Sequence, residues 1–263
     1  MSLPVSLDTL LQLAHQAGDV ILQIYDTEFE VEQKQDNSPL TAADLAAHRL
    51  IVSTLEELTS EIPVLSEESS KIPFSTRQQW QRYWLIDPLD GTQEFVKRNG
   101  KFTVNIALIE NQQPSFGVVY APILKTTYYG ILGDGAWKQE GENPGQAIGV
   151  APKRRQPTLV AGSRSHAGDS LLRFLQKLGD HELLSMGSSL KLCLVAEGKA
   201  DIYPRLGLTS EWDTAAAQAV IEAAGGRVTT LDLQPLRYNT KDSLLNPHFL
   251  AFGDHAEKWS DYL

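Results

Sequence analysis

Asp87 and Asp90 stand on either side of a Pro88-Leu89 step, and Gly91 and Thr92 follow at once. The apolar run Tyr83-Trp84-Leu85-Ile86 before them reads as a buried strand, so Asp87 sits where that strand emerges and Pro88 stiffens the turn beyond it. With the turn held, both carboxylates can converge on one point and the Leu89 carbonyl can join them. Hard oxygen donors of this kind suit Mg²⁺, which keeps several waters and shares its shell with substrate phosphate oxygens. Gly91 and Thr92 add backbone N–H groups at a helix start, where an anion meets unsatisfied donors and the positive end of the helix dipole. An Asp-rich turn that merely caps a strand is the competing reading of Asp-x-x-Asp by itself. Further carboxylates shift the balance. Glu67-Glu68 follows the stretch 62–66, with Glu67 the better placed to point inward, and Asp213 opens a helix over 212–224. Alone, the first reads as a solvated loop and the second as a helix start that stabilises the dipole. Together, Glu67, Asp87, Asp90 and Asp213 are carboxylates from three separated segments, the number that two Mg²⁺ ions sharing a phosphate require.

The elements that must carry these groups are legible in the hydrophobic pattern. Leu7, Leu10, Leu11, Ala14, Ala17, Ile21 and Ile24 recur at helical spacing behind Ser6, a candidate N-cap. Asp36-Asn37-Ser38-Pro39 breaks that helix. Thr41-Ala42-Ala43-Asp44 has the form of a capping box with Asp in place of Glu, opening a second helix to about residue 58 with Asp44 in its first turn. Strands are predicted over 62–65, 83–86, 102–109, 116–120 and 126–131, and Gly133-Asp134-Gly135 reads as a hairpin turn into 136–138. The segment 139–146, with Gly141, Pro144 and Gly145, is the candidate boundary, and the basic Lys153-Arg154-Arg155 lies just beyond it. After it, strands over 158–161, 182–185, 201–203, 227–230 and 249–252 alternate with helices near 170–178, 189–197 and 212–224, the last stopped by Gly225-Gly226. The pattern is α/β overall. An α+β half over 1–140 carries most of the candidate ligands, and an α/β half over 141–263 carries Asp213 and the residues that would choose the substrate.

Composition narrows the chemistry further. A chain of 263 residues can build one large domain or two that share an interface. Its net charge of −10 disfavours a polymeric nucleic acid as partner, because duplex affinity comes mostly from neutralised phosphates. A small phosphorylated substrate is still allowed, since bound divalent cations make a locally positive site whatever the global sign. The first fifteen residues contain Asp8 and no Lys or Arg, unlike a signal peptide, and no stretch approaches the ~18 uncharged apolar residues of a membrane span. A soluble cytoplasmic protein is the expectation. Cys193 is the only cysteine, so an internal disulfide and a thiolate zinc cluster are excluded; its apolar neighbours mark it as core. His15, His48, His181, His248 and His255 show no paired ligand spacing and read as structural or solvated.

Ser66-Glu67-Glu68-Ser69, Asp87-Pro88-Leu89-Asp90-Gly91-Thr92 and Trp212-Asp213-Thr214-Ala215-Ala216 resemble, in order and spacing, the signatures of the lithium-sensitive, Mg²⁺-dependent inositol monophosphatase superfamily. The likeness covers essentially the whole chain. The stretch from Gly91 through Lys97-Arg98-Asn99-Gly100 into Phe102-Thr103-Val104-Asn105-Ile106-Ala107 is most similar to the bacterial 3′(2′),5′-bisphosphate nucleotidase branch of that superfamily. The resemblance implies a layered α-β-α-β-α sandwich of the inositol monophosphatase and fructose-bisphosphatase type. It implies two or three Mg²⁺ ions held by the side chains of Glu67, Asp87, Asp90 and Asp213 and by the Leu89 carbonyl, with Asp87 bridging. It further implies that the amides of Gly91 and Thr92 hold the scissile phosphate, and that Thr92 with Asp44 or Glu67 positions the attacking water. A hydroxyl beside a carboxylate can orient a water and accept its proton, so that role also makes independent physical sense.

Substrate selection rests on a second set of residues. Ser163-Arg164-Ser165-His166 resembles the segment near adenine in nucleotidases; a polar loop with a solvated His166 is the alternative. Gly187-Ser188-Ser189 precedes a helix, a geometry suited to an anion, with Lys191 two residues inside. Lys191 and Arg205 are the candidate partners of a 5′-phosphate, because a substrate with two phosphates needs fixed cations beyond the metals; either could instead be a surface charge. The expected reaction is hydrolysis of the 3′-phosphate of adenosine 3′,5′-bisphosphate to AMP, with the sulfate-bearing relative PAPS as a second substrate, in the recycling of a sulfate-assimilation by-product. An inositol or sugar monophosphatase of the same superfamily is the runner-up. A catalytically inactive module that binds phosphorylated ligands is a third reading, disfavoured because no metal carboxylate is missing. Relatives occur as monomers and as homodimers, and some bacterial ones associate with the cytoplasmic face of the inner membrane; no polybasic amphipathic helix supports that here.

Overall fold

A computed structural model describes residues 3–28, 30–33, 39–162 and 168–263. Helix α1 (Leu7–Tyr25) starts where expected, with the Thr9 N–H donated to Ser6 Oγ at 3.2 Å. The short antiparallel pair β1 (Val31–Gln33) and β2 (Pro39–Thr41) leads into α2 (Ala42–Leu58). Both halves of the capping box form: Thr41 Oγ1 accepts an amide of the first turn, and Asp44 accepts the Thr41 N–H. Asp44 is thereby fixed by local sequence before any tertiary contact is counted.

The first sheet has seven strands in chain order, β3 (Val64–Ser66), β4 (Arg82–Asp90), β5 (Thr103–Glu110), β6 (Gln113–Ala121), β7 (Thr126–Ile131), β8 (Gly135–Glu140) and β9 (Gln146–Ile148). β3 runs parallel to β4 and the remaining pairs are antiparallel. One-turn helices α3 (Phe74–Arg77) and α4 (Thr92–Val96) lie before and after β4. The second sheet is built from β10 (Thr158–Gly162), β11 (His181–Ser185), β12 (Ile202–Arg205), β13 (Arg227–Thr230) and β14 (Phe249–Phe252), in the order β11-β10-β12-β14-β13. Helices α5 (Asp169–Leu178), α6 (Leu190–Ala196) and α7 (Ala215–Ala223) alternate with these strands.

Strand alternation sorts the side chains into three apolar layers. Trp84, Ile86, Ile106, Leu108 and Val118 face α1 and α2. Tyr83, Leu85, Ala107, Ile109 and Val119 face α6 and α7, which also meet Tyr203, Phe249 and Ala251 of the second sheet, and Cys193 is buried here. Val160, Ile202, Leu250 and Phe252 pack outward on Phe174 and Leu178 of α5 and on Trp259. Helices, sheet, helices, sheet, helix is the expected α-β-α-β-α sandwich, and the near-continuous apolar strands follow from sheets covered on both faces.

A glycine pair sets how closely the middle layer approaches. Gly117 and Gly130 are register partners on β6 and β7. A Cβ at Gly117 would lie 2.1 Å from the Ala216 carbonyl oxygen, and one at Gly130 would lie 2.8 Å from Val220 Cα. The α7 backbone therefore rests directly on the first sheet, two residues after Asp213.

The structure differs from the sequence reading in its small elements. Segment 139–146 is a hairpin between β8 and β9, so the first sheet continues to Ile148. Glycine and proline mark a tight hairpin as readily as a linker. The strands β1, β2 and β9 and the one-turn helices α3 and α4 are too short to give a periodic signal. Among the described residues no helix is long and apolar enough to cross a membrane.

Candidate active site

β4 does not end at Asp87 but runs through to Asp90 with an irregularity inside it. Asp87 pairs with Asn105 and Asp90 with Thr103, so three steps on β4 oppose two on β5. In a regular strand, residues three apart point to opposite faces. The extra residue at Pro88-Leu89 restores the parity and turns both carboxylates to the face of Thr103 and Asn105. Proline is tolerated in this central strand because a bulge removes the need for its missing N–H. The Leu89 N–H donates to Asp87 Oδ1 at 3.1 Å, which holds the bulge from within.

Glu67 begins a 3₁₀ turn immediately after β3, the strand parallel to β4, and its carboxyl is hydrogen-bonded to that of Asp87. Asp213 arrives from the other half, at the end of a 3₁₀ turn (Glu211–Asp213) that feeds α7. Its Oδ2 accepts the Ser210 N–H at 2.9 Å, the capping-box bond that orients it. Asp44 sits on the opposite flank. Its Oδ2 accepts from Thr41 N–H at 2.7 Å and from Thr41 Oγ1 at 2.6 Å, while Oδ1 accepts from Thr92 Oγ1 at 3.1 Å. Gly91, at φ +93°, gives the left-handed turn that starts α4 and brings Thr92 back over Leu89, whose carbonyl lies 3.3 Å from Thr92 Oγ1.

Asp90 is the most heavily bonded of the set. Its Oδ2 accepts the Ser189 N–H and the Ser189 Oγ–H, both at 2.6 Å, with Thr103 Oγ1 at 3.3 Å and Asn105 Nδ2 at 3.4 Å. The Ser188 hydroxyl donates to the Asp90 carbonyl at 2.7 Å. The Ser189 N–H that the sequence offered to an anion is thus directed at Asp90.

Two of these acids, Asp87 and Asp213, have their proton affinity raised by burial and by neighbouring charges. Burial, then the charges of Glu67, Asp90 and Asp213, push Asp87 far above the usual carboxylate range. Burial and the Asp90 charge push Asp213 up to about 8. Such crowding is what a cation relieves, and an all-oxygen, buried, acidic donor set fits a hard divalent ion. Among the described residues no three Asp, Glu, His or Cys side chains already close on one point at ligand spacing. Asp90 is held by Ser189 and Asp213 by Ser210.

A cleft of about 270 Å³ opens beside them. Asp90, Gly91, Gly187, Ser188, Ser189 and Asp213 line it together with Lys191 and Arg205. Lys191 Nζ donates to the Ser188 carbonyl at 3.0 Å and lies 5.8 Å from the Tyr203 ring centre. Burial holds its pKa down, opposed by the Asp90 charge. Arg205 donates to the Leu208 carbonyl at 2.8 Å and to Tyr203, whose hydroxyl burial pushes up to about 12. Lys191, Tyr203 and Arg205 also line a second cleft of about 140 Å³ with Gly162, Gly168 and Leu171. His166 lies outside the described residues.

The structure thus brings Asp44, Glu67, Asp87, Leu89, Asp90, Gly91, Thr92 and Asp213 together, with Lys191 and Arg205 lining the same cleft as Asp90 and Asp213. Sequence reasoning did not assign Thr103, Asn105, Tyr203 or Ser210. Ser210-x-x-Asp213 carried a usable signal, because it is a capping box of the kind read at Thr41. The others declare themselves only through strand register.

Comparison with known proteins agrees with this geometry. A model of the inositol monophosphatase family matches residues 5–260. The 3′(2′),5′-bisphosphate nucleotidase CysQ of Salmonella typhimurium is 54% identical over 245 residues, covering 92% of this chain and 98% of that protein. CysQ of Escherichia coli K12 is 52% identical over the same shares. Among solved structures, CysQ of Bacteroides thetaiotaomicron superposes with a TM-score of 0.81 at 42% identity, covering 93% of this chain and 96% of its own. The acidic bulge on β4, the carboxyls that join it from β3 and from the turn before α7, and a match running almost end to end give one answer: the chain belongs to the inositol monophosphatase family.

Proposed function

We propose that the chain is a Mg²⁺-dependent phosphomonoesterase that removes the 3′-phosphate of adenosine 3′,5′-bisphosphate, yielding AMP and phosphate, with PAPS as a second substrate. One observation carries this reading: Asp90 and Asp213, from separated segments, line a cleft that Lys191 and Arg205 line as well, with buried Asp87 beside them. The high identity to bisphosphate nucleotidases across nearly the whole chain supports the nucleotide as substrate. Glu67, Asp87, Asp90, Asp213 and the Leu89 carbonyl would hold two or three ions. When bound there, Mg²⁺ supplies the charge that draws in the scissile phosphate and acidifies the attacking water.

The residues of the chain do the rest. Thr92 Oγ1 donates its proton to Asp44 Oδ1, which leaves its lone pairs to accept from the water and orient it. As the water loses a proton to Thr92, the Thr92 proton passes to Asp44, whose other oxygen is pinned by Thr41. The amides of Gly91 and Thr92 face the scissile phosphate at the start of α4. Lys191 and Arg205 bind the 5′-phosphate, with Gly187 and Ser188 contributing to that end of the substrate and His166 to the adenine. Lys191 donates to the Ser188 and Met186 carbonyls, at 3.0 and 3.4 Å, and its third N–H is available to a phosphate oxygen. The half that ends with β9 and the half that follows it act as one unit, working in the cytoplasm as a monomer or homodimer.

The decisive assay measures phosphate release from adenosine 3′,5′-bisphosphate and from inositol 1-phosphate side by side, with Mg²⁺. A strong preference for the bisphosphate is expected. A preference for inositol phosphate would overturn the substrate while leaving the phosphatase chemistry in place.

A further inference from the structure

Ser189 stands immediately before α6 and is almost fully buried, yet its hydroxyl touches both halves of the site. Its Oγ lies 2.6 Å from Asp90 Oδ2 and 2.7 Å from the Asp213 carbonyl oxygen. The Asn105 side-chain amide donates to the same Oγ at 2.9 Å. A hydroxyl has one proton and two lone pairs. Asn105 occupies a lone pair, so the proton has two acceptors, one on the end of β4 and one on the turn before α7. An ionised carboxylate is the stronger acceptor, which gives the proton to Asp90. The Ser189 N–H reaches the same Oδ2 at 2.6 Å. Among the described residues every hydrogen bond to the Asp90 carboxylate ends on Oδ2.

We infer that Ser189 is a positioning residue for the metal site: it pins Asp90 Oδ2 so that Oδ1 is the ligand oxygen. The inference rests on the metal reading proposed above and assigns Ser189 to the carboxylates rather than to substrate. Mg²⁺ demands near-ideal octahedral geometry, so a carboxylate free to swing binds it poorly. Removing the hydroxyl leaves Asp90 with a single amide and the longer Thr103 and Asn105 contacts. Residues that orient ligands in this way contribute roughly 10–100-fold to metal affinity.

The test is Mn²⁺ binding by electron paramagnetic resonance, which needs no turnover, on wild type, Ser189→Ala, Ser189→Thr and Asn105→Ala. Ser189→Ala should raise the Mn²⁺ dissociation constant roughly 10–100-fold. The Mg²⁺ concentration for half-maximal activity should rise in parallel, with KM for substrate at saturating metal unchanged. Ser189→Thr, which keeps the hydroxyl, should restore affinity, and Asn105→Ala should give a smaller loss in the same direction. Melting in EDTA separates this from damage to the fold. Wild-type Mn²⁺ affinity in folded Ser189→Ala overturns the inference, as does a rise in KM confined to substrates that carry a 5′-phosphate. Wild type failing to bind Mn²⁺ removes the metal reading and this inference together, whereas normal wild-type binding with no effect of Ser189→Ala removes this inference alone.

Discussion

Replacing Gly117 by alanine perturbs the chemistry through the fold, from a position buried in the sheet. The added Cβ would sit 2.1 Å from the Ala216 carbonyl oxygen and 2.7 Å from Ala216 Cα, both backbone atoms that no rotamer change can move. Reaching ordinary contact near 3.4 Å requires β6 and the start of α7 to part by roughly 1.3 Å. Overpacking of this kind costs about 1–3 kcal/mol, which lowers the melting temperature by several degrees. Asp213 lies on the turn that feeds α7, so it moves with the helix, and a misplacement of about 1 Å at a reacting site costs roughly 10²-fold in rate. The comparison is Gly130→Ala, whose Cβ meets Val220 Cα at 2.8 Å, about one helical turn further from Asp213. Calorimetry and steady-state phosphate release should show both variants destabilised and Gly117→Ala far more impaired in kcat. Wild-type melting and turnover in Gly117→Ala would refute the claim that the glycine slot sets the position of α7. Equal kcat losses in the two variants would refute the claim that the damage travels through Asp213.

Three further outcomes follow from the site. Asp90→Asn keeps the shape of the side chain but removes the charge that faces the cation, so turnover should vanish while the far-ultraviolet circular dichroism spectrum is retained; wild-type rates would sink the ligand assignment. Mg²⁺ at one hundred times its dissociation constant should stabilise the native state by about 2.7 kcal/mol, raising the melting temperature by roughly 5–10 °C over protein in EDTA. Absence of any shift would count against a metal site in the folded protein. Lys191→Met should raise KM for adenosine 3′,5′-bisphosphate roughly 10–100-fold, the worth of a charged hydrogen bond, and leave KM for a nucleoside 3′-monophosphate nearly unchanged; equal effects on both substrates would remove Lys191 from the 5′-phosphate.

The long elements were legible because one physical rule governs them. Apolar residues at helical spacing marked α1, and the Thr41-x-x-Asp44 box marked the start of α2 and placed Asp44 in its first turn. Apolar runs bounded by turn residues marked β4 to β7, and β4 and β6 extend further than the runs themselves because their ends carry polar or proline residues. β9 and the β1–β2 pair were illegible for the opposite reason. Three residues against a neighbouring strand are held by backbone ladder hydrogen bonds, which leave no hydrophobic period in the side chains.

The site was legible as a set of carboxylates but not as a geometry, and β4 shows why. The sequence placed Asp87 and Asp90 at a turn, because Pro88 disfavours a central strand. The structure keeps the strand and absorbs the proline in a bulge, which depends on β5 offering Thr103 and Asn105 two residues apart. That condition is a statement about register between segments, and no local pattern contains it. The same holds for Ser189, read from sequence as an anion site at a helix start and found with both its N–H and its hydroxyl on Asp90. A helix N-terminus marks where unsatisfied donors are, and the partner is whichever acid the fold brings there. Here that acid is the residue whose spacing to Asp87 the bulge had already fixed. The bulge and the Ser189 contact therefore act on one side chain from two sides: the first chooses the face on which Asp90 emerges, and the second chooses which of its oxygens is left to bind.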